Sequence, residues 1–277
     1  MPTFDTPEPI TARINSRSGN VTVTAQETST TTVEISGDPE RRPGEQVHVD
    51  FHNNILRIEA PRVGGWGRSS DLNFTVVLPT NSSLQIDATS GEVNCRGSFY
   101  EVRINAASGN ANVDTATGPA RIEAASGNVA LDTAHSQVFL SAASGNVRLG
   151  DALGDDPVEV NSASGNMEIG TVNGPLSVGG ASGDVRVGDA RRDVTANSAS
   201  GNVTLDLVHT GAVTAQSNSG DIRVRVAAGI PTWLDLHSLS GDISTDQADD
   251  NGPTEGEDTL ELRANTVSGN IRIKRGR

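Results

Sequence analysis

Apolar residues in this chain come in pairs split by one residue, and along its middle the pairs recur every nine positions. The series runs Leu84/Ile86, Val93/Cys95, Val102/Ile104, Ala111/Val113, Ala120/Ile122, Val129/Leu131, Val138/Leu140 and Val147/Leu149. After a two-residue insertion it resumes at Val158/Val160, Met167/Ile169, Leu176/Val178, Val185/Val187, Val194/Ala196 and Val203/Leu205. Alternation at a period of two marks a strand with one buried face. Each nine-residue unit therefore predicts one short strand and one corner.

The corners carry a second, longer period. Ser-Gly followed by Asn, Asp or Glu recurs at Ser18, Ser90, Ser108, Ser126, Ser144, Ser164, Ser182, Ser200, Ser219, Ser240 and Ser268. From Ser90 to Ser240 the steps are 18, 18, 18, 20, 18, 18, 19 and 21 residues. The intervening corners vary, as at Gly118-Pro119, His135-Ser136 and Arg191-Arg192. A β-meander would use Gly-Asn as hairpin turns, whereas a solenoid would stack one coil on the next. One corner type recurring once per coil of near-constant length favours the solenoid. The expected fold is an all-β, single-domain β-solenoid of about 18 residues per coil. Stacking puts Asn110, Asn128, Asn146, Asn166, Asp184 and Asn202 in one structural ladder, rising about 4.8 Å per coil. There amide side chains can hydrogen-bond along the stack, and glycine supplies a corner conformation closed to other residues. The corner serines are read as structural, and Cys95 as a small buried hydrophobe.

Residues 1–83 are less regular, with strand-like pairs at Ala12/Ile14, Val21/Val23, Val33/Ile35, Val47/Val49, Leu56/Ile58 and Val76/Leu78. They are expected to form an N-terminal β cap region continuous with the solenoid, which occupies residues 84–277. An uncovered terminal coil would present a bare strand edge that recruits other chains. Six of the eight aromatic residues lie in the first 100 positions, where a thicker core has room. At the other end an acidic loop insertion at 246–259 interrupts the repeat. The last coil is expected to end in Lys274, Arg275 and Arg277, charges suited to discouraging edge pairing.

Composition narrows the function. Aromatic residues are 3% of 277 and the net charge is -14, which argues against nucleic-acid partners wanting basic surface and stacking rings. The start MPTFDTPEPI has no basic segment followed by an apolar one, and no run approaches the ~18 apolar residues of a membrane span. One cysteine cannot form an internal disulfide. Together these lead to the expectation of a cytoplasmic protein without direct membrane insertion.

Further motifs carry a resemblance. The Ser-Gly-Asn/Asp strand repeats, Phe74-Thr-Val-Val-Leu-Pro79 followed by Leu84-Gln-Ile86, and the early Asp5-Thr-Pro-Glu-Pro9 resemble the bacterial DUF4097 or Toastrack family, also called "putative adhesin". The similarity covers nearly the whole chain and is nearest the soluble actinobacterial members. Those share the segment Trp233-Leu-Asp-Leu236 and the segment Gly256-Glu-Asp258. The resemblance implies a β-helix of stacked short coils and a non-enzymatic role. Its relatives are associated with envelope-stress and membrane-associated signalling systems, and it transfers no activity to named residues.

The remaining chemistry is read from residues. The calcium-binding nonapeptide pattern fails, because the Asp four positions beyond paired glycines is absent. The hexapeptide acyltransferase coil divides into three sixes, not two nines. Outward residues run Arg103, Arg121, Phe139, Glu159, Ser177 and Thr195 on one face, and neither face sets paired carboxylates beside a base. The five histidines show no zinc spacing. No catalytic residue, metal, cofactor or small-molecule ligand is expected. Two residues are candidate contact anchors: Phe139, outward among charges, and Trp66 in the glycine-rich Arg62-Val-Gly-Gly-Trp-Gly-Arg68. The expected role is a non-catalytic structural or protein-interaction module, or an assembly scaffold acting through a protein partner or self-association. A carbohydrate-binding or carbohydrate-cleaving β-helix is the alternative.

Overall fold

A computed structural model describes residues 1–37, 47–60, 72–246 and 259–276. The described residues form 26 strands and no helix. They group into two compact units, Met1–His135 and Ser136–Arg277.

In the first unit the coils stack through parallel ladders in register. Ile86 lies beside Ile104 and Ile104 beside Ile122, while Cys95 lies beside Val113 and Val113 beside Leu131. The long strand Val93–Ser108 turns a corner and serves two faces in succession. Chain order and spatial order differ at the start. Strand Thr11–Ser16 sits between Ile55–Glu59 and Ser82–Ser90, and Val21–Gln26 sits between Leu72–Pro79 and Val93–Ser108. This unit's antiparallel pairs all lie at that end: Thr3–Asp5 on Thr30–Gly37, Thr30–Gly37 on Leu72–Pro79, and His48–His52 on Ile55–Glu59. The rings gather there too. Phe4 and Phe51 stand 5.3 Å apart between centroids, and Phe74 is fully buried.

The second unit follows the same rule with one departure. Leu149, Ile169, Val187, Leu205 and Val224 form one inward column, each beside the next. The column then continues to Ile273 in the C-terminal strand Ile271–Arg275, and only afterwards to the strand Ile243–Thr245. On the facing sheet Leu260–Ser268 is likewise inserted between Gly211–Ser219 and Thr232–Ser240. The C-terminal coil is therefore the last but one in space. Lys274 and Arg275 do not edge the terminal coil, as chain order leads one to expect; strands Thr232–Ser240 and Ile243–Thr245 do. The inserted coil has the better inward residues. Leu262, Ala264, Ile271 and Ile273 are fully buried between two neighbours, while Leu234 and Leu236 of the terminal strand stay half-buried.

All the apolar pairs from Leu84/Ile86 to Val203/Leu205 point into the core. The core is deeper than those pairs indicate. Most strands bury a third position, filled by a small or β-branched residue such as Ala88, Ala106 and Ala124 or Ala116, Ala134 and Val172. Small side chains leave the third position without a readable hydrophobic signal.

Glycine sets the corner. Gly109 has φ 122° and Gly183 has φ 127°, a region costly for residues with a Cβ. A Cβ on Gly109 would lie 2.0 Å from the Gly91 carbonyl oxygen, and one on Gly183 would lie 2.2 Å from that of Gly165. Conformation and close approach thus both demand glycine. Replacement of Gly183 by Ala is expected to lower the urea midpoint by the equivalent of about 1–3 kcal/mol or more. Ser182→Ala, at the exposed neighbouring position, should stay within about 0.5 kcal/mol of the parent. Equal midpoints for the two variants would contradict the corner assignment.

Cys95 occupies the inward column and is 1% exposed. Burial first, and then the charge of Asp114, push its thiol well above the ordinary range. The native thiol is expected to resist iodoacetamide until the protein is unfolded in urea. A raised folded pKa favours the protonated form, so its stability contribution is complete below the unfolded thiol's pKa and lost as pH rises past it. Raising the pH above the ordinary thiol range should lower the thermal midpoint more in the parent than in Cys95→Ala.

Candidate interaction faces

The corner ladder has a defined hydrogen-bond direction. In the first unit Asn110 Oδ1 accepts from the backbone N–H of Asn128 at 2.9 Å and from its Nδ2 at 3.2 Å. Asn20 Oδ1 likewise accepts from Glu92 N at 2.9 Å, and Asn73 Oδ1 accepts from Asn20 N at 2.8 Å. In the second unit the chain of acceptors is continuous. Asn146 accepts from Asn166 N, Asn166 from Asp184 N, and Asp184 from Asn202 N, at 2.8–2.9 Å. Beyond these, Asn202 accepts from Asp221 N, Asp221 from Asn270 N, and Asn270 from Asp242 N, at 2.9–3.0 Å. The main contact is side-chain oxygen to the next coil's backbone, which Asn and Asp serve equally well. Side-chain to side-chain bonds are secondary and occur only where an amide follows.

A second set of bonds escaped the sequence reading. Two residues before several corner serines, a half-buried or buried hydroxyl donates to a glycine carbonyl of a neighbouring coil. Ser162 reaches Gly145 at 3.1 Å, Ser217 reaches Gly201 at 3.0 Å, and Thr266 reaches Gly220 at 3.1 Å. At these corners the two sets tie one coil to its neighbour from both sides.

The candidate anchors fare differently. Trp66 lies outside the described residues, as do positions 247–258 of the acidic insertion. Phe139 is half-buried at an outward position of its strand, beside Glu159 on the adjacent strand. Among the described residues of the second unit, Leu153 is 46% exposed, and the other exposed large apolar side chains, Trp233, Leu239, Ile243 and Val267, lie at the last two coils. Trp233 is 57% exposed with Arg263 6.0 Å above its ring, Leu239 is 82% exposed, and Val267 stands next to Leu239 in register. The sequence held a signal for Leu239 and Val267. The residue before the corner serine is Ala at 107, 125, 143, 163, 181 and 199, and these two depart from it. Trp233 opens the Trp-Leu-Asp-Leu segment.

Along the outer row of the terminal strand, His237 Nε2 meets Asp235 Oδ1 at 2.8 Å between the two apolar ends. Elsewhere the outer faces bear scattered pairs, such as Arg186 Nε to Asp206 at 2.8 Å and His209 Nε2 to Asp189 at 2.8 Å. Among the described residues, no group of three or more His, Cys, Asp or Glu side chains could hold a metal ion, and no helix is long and apolar enough to cross a membrane.

No curated protein matches the chain. Among solved structures it is similar to a "putative adhesin" from Bacteroides fragilis NCTC 9343, at 14% identity and TM-score 0.46, covering 98% of this chain and 95% of that one. A "putative adhesin" from Parabacteroides merdae ATCC 43184 is 12% identical with TM-score 0.32, covering 100% of this chain and 95% of that one. A "putative cell adhesion protein" from Clostridium sporogenes ATCC 15579 is 10% identical with TM-score 0.25, covering 99% and 98% respectively. The family model described as Toastrack DUF4097 matches residues 10–274, so the chain belongs to the Toastrack DUF4097 family.

Proposed function

We propose that this protein is a non-catalytic interaction module that docks a partner protein on the outer face of its terminal coil. The observation that carries the reading is the exposed placement of Trp233, Leu239 and Val267 on a rigid sheet, in a chain with only eight aromatic residues. Large side chains held on an ordered backbone lose little conformational freedom on binding, and Trp is enriched among residues that dominate interface energy. Registered strands supply the rigidity. Family membership supports the finer proposal that the module acts as an assembly scaffold in an envelope-stress-associated system. A single cysteine, buried and held protonated, supports placing it in a reducing, cytoplasmic setting.

Cross-linking with mass spectrometry on the full chain purified from its host tests the reading. A stoichiometric partner should cross-link beside the terminal coil. The double substitution Trp233→Ala with Leu239→Ser should reduce recovery of that partner by about ten-fold or more, the scale of a hot-spot loss. Recovery unchanged by the double substitution would overturn this docking surface. Polysaccharide turnover in a reducing-sugar assay would overturn the non-catalytic role.

A further inference from the structure

The outer face of the second unit carries one column whose charges can be read coil by coil. Arg148 lies beside Glu168, Glu168 beside Arg186, and Arg186 beside Thr204. To that point neighbours alternate in sign or are neutral, as cross-strand pairing favours. The pattern then breaks. Thr204 is followed by Arg223, Arg223 stands directly beside Arg272, and Arg225 stands directly beside Lys274. Four cations thus occupy the corners of a rectangle on a flat sheet. Its sides are about 4.8 Å across the strands and about 6.7 Å along them.

All four side chains are exposed. Arg223 is held by Asp221 at 2.7 Å. Arg225, Arg272 and Lys274 have no carboxylate partner among the described residues. Asp206, which lines the same hollow, is already engaged by Arg186 at 2.8 Å. A shallow hollow of about 160 Å³ lies among these side chains. Like charges on adjacent strands destabilise a sheet, and here two such pairs sit side by side in a chain of net charge -14. A bound anion removes that repulsion.

We infer that this rectangle, formed by Arg223, Arg225, Arg272 and Lys274, is a docking face for an extended acidic segment of a partner protein. The inference rests on the interaction-module reading above and adds a second surface with a defined chemistry. Spacing selects the ligand. An extended polypeptide repeats same-side side chains every two residues, about 6.7 Å apart. That equals the separation of Arg223 from Arg225 and of Arg272 from Lys274 along their strands. Carboxylates at alternate positions can therefore meet one cation pair after another, with guanidinium groups free for forked contacts. The face carries no aromatic side chain on which a nucleic-acid base could stack.

Fluorescence anisotropy on the full chain at low ionic strength tests the inference with a labelled twelve-residue peptide of alternating Glu and Ser. The peptide should bind, and binding should weaken as salt rises, since exposed charge pairs are screened. The Gln/Ser analogue should not bind. Charge reversal by Arg272→Glu with Lys274→Glu should weaken binding about ten-fold or more, and Arg272→Gln with Lys274→Gln should weaken it less, with a thermal midpoint no lower than the parent's. Arg148→Glu, on the alternating part of the same column, should leave binding unchanged. Trp233→Ala with Leu239→Ser should also leave it unchanged, so that failure of the terminal-coil surface and failure of this one can be told apart. Absence of binding, insensitivity to both double substitutions, equal binding of a peptide with its six Glu in one block, or tighter binding of inorganic polyphosphate or a thymidine dodecamer would each overturn the inference.

Discussion

Stacked coils can keep strand spacing through a corner only if one backbone passes another at contact distance. At Gly109 and Gly183 there is no room for a Cβ, because the neighbouring glycine carbonyl oxygen lies 2.0 and 2.2 Å from where it would be. Everything else in the repeat follows from that approach. With the corners locked, Asn and Asp side chains reach the backbone N–H of the next coil, and Ser162, Ser217 and Thr266 reach a glycine carbonyl. A slip of one residue would put every inward side chain into solvent. The corner is thus what fixes register along both faces.

The thin core is the counterpart of that constraint. Two facing strands closed by tight corners leave space for Val, Ile, Leu and Ala but rarely for rings, and the buried rings, Phe74 and Phe99, both belong to the first unit. Small residues at the third inward position let the sheets approach at the corner, and at Ser162, Ser217 and Thr266 a hydroxyl replaces apolar bulk and is met by a glycine carbonyl, whereas the buried Ser16 hydroxyl has no such partner. Cys95 fits the same logic: a small, polarizable side chain in an inward column, too buried to ionise readily.

Faces built this way hold side chains from distant segments at fixed spacing, which suits recognition. A flat sheet holds its outward side chains in the open, on a backbone fixed by register. What it offers is geometry: an exposed Trp233 on one face, and four cations in a rectangle on the other. Trp233 gains its exposure from being on the terminal coil. The rectangle gains its charge from two strands far apart in the chain, Ile222–Val226 and Ile271–Arg275, which lie side by side.

Period and corner chemistry were legible in the sequence because they are local. Apolar-x-apolar spacing reports which side chains face inward, and Ser-Gly-Asn reports where the chain must turn. The expected ladder residues were readable for that reason, although their contacts run to backbone more than to one another. Positions filled by Ala or Ser gave no signal, since such residues suit a core and a surface equally. Coil order was not legible at all. Nothing local distinguishes a coil that caps the stack from one that slots beneath it, because every coil offers the same strand edges. The choice rests on which segment buries more: Leu262, Ala264, Ile271 and Ile273 lose all exposure in the inserted position, while Leu234 and Leu236 tolerate the end. The sequence by itself determined the strands, the corners and the inward columns. Only the tertiary structure decided which coils are neighbours, and with that which charges stand together on the outer face.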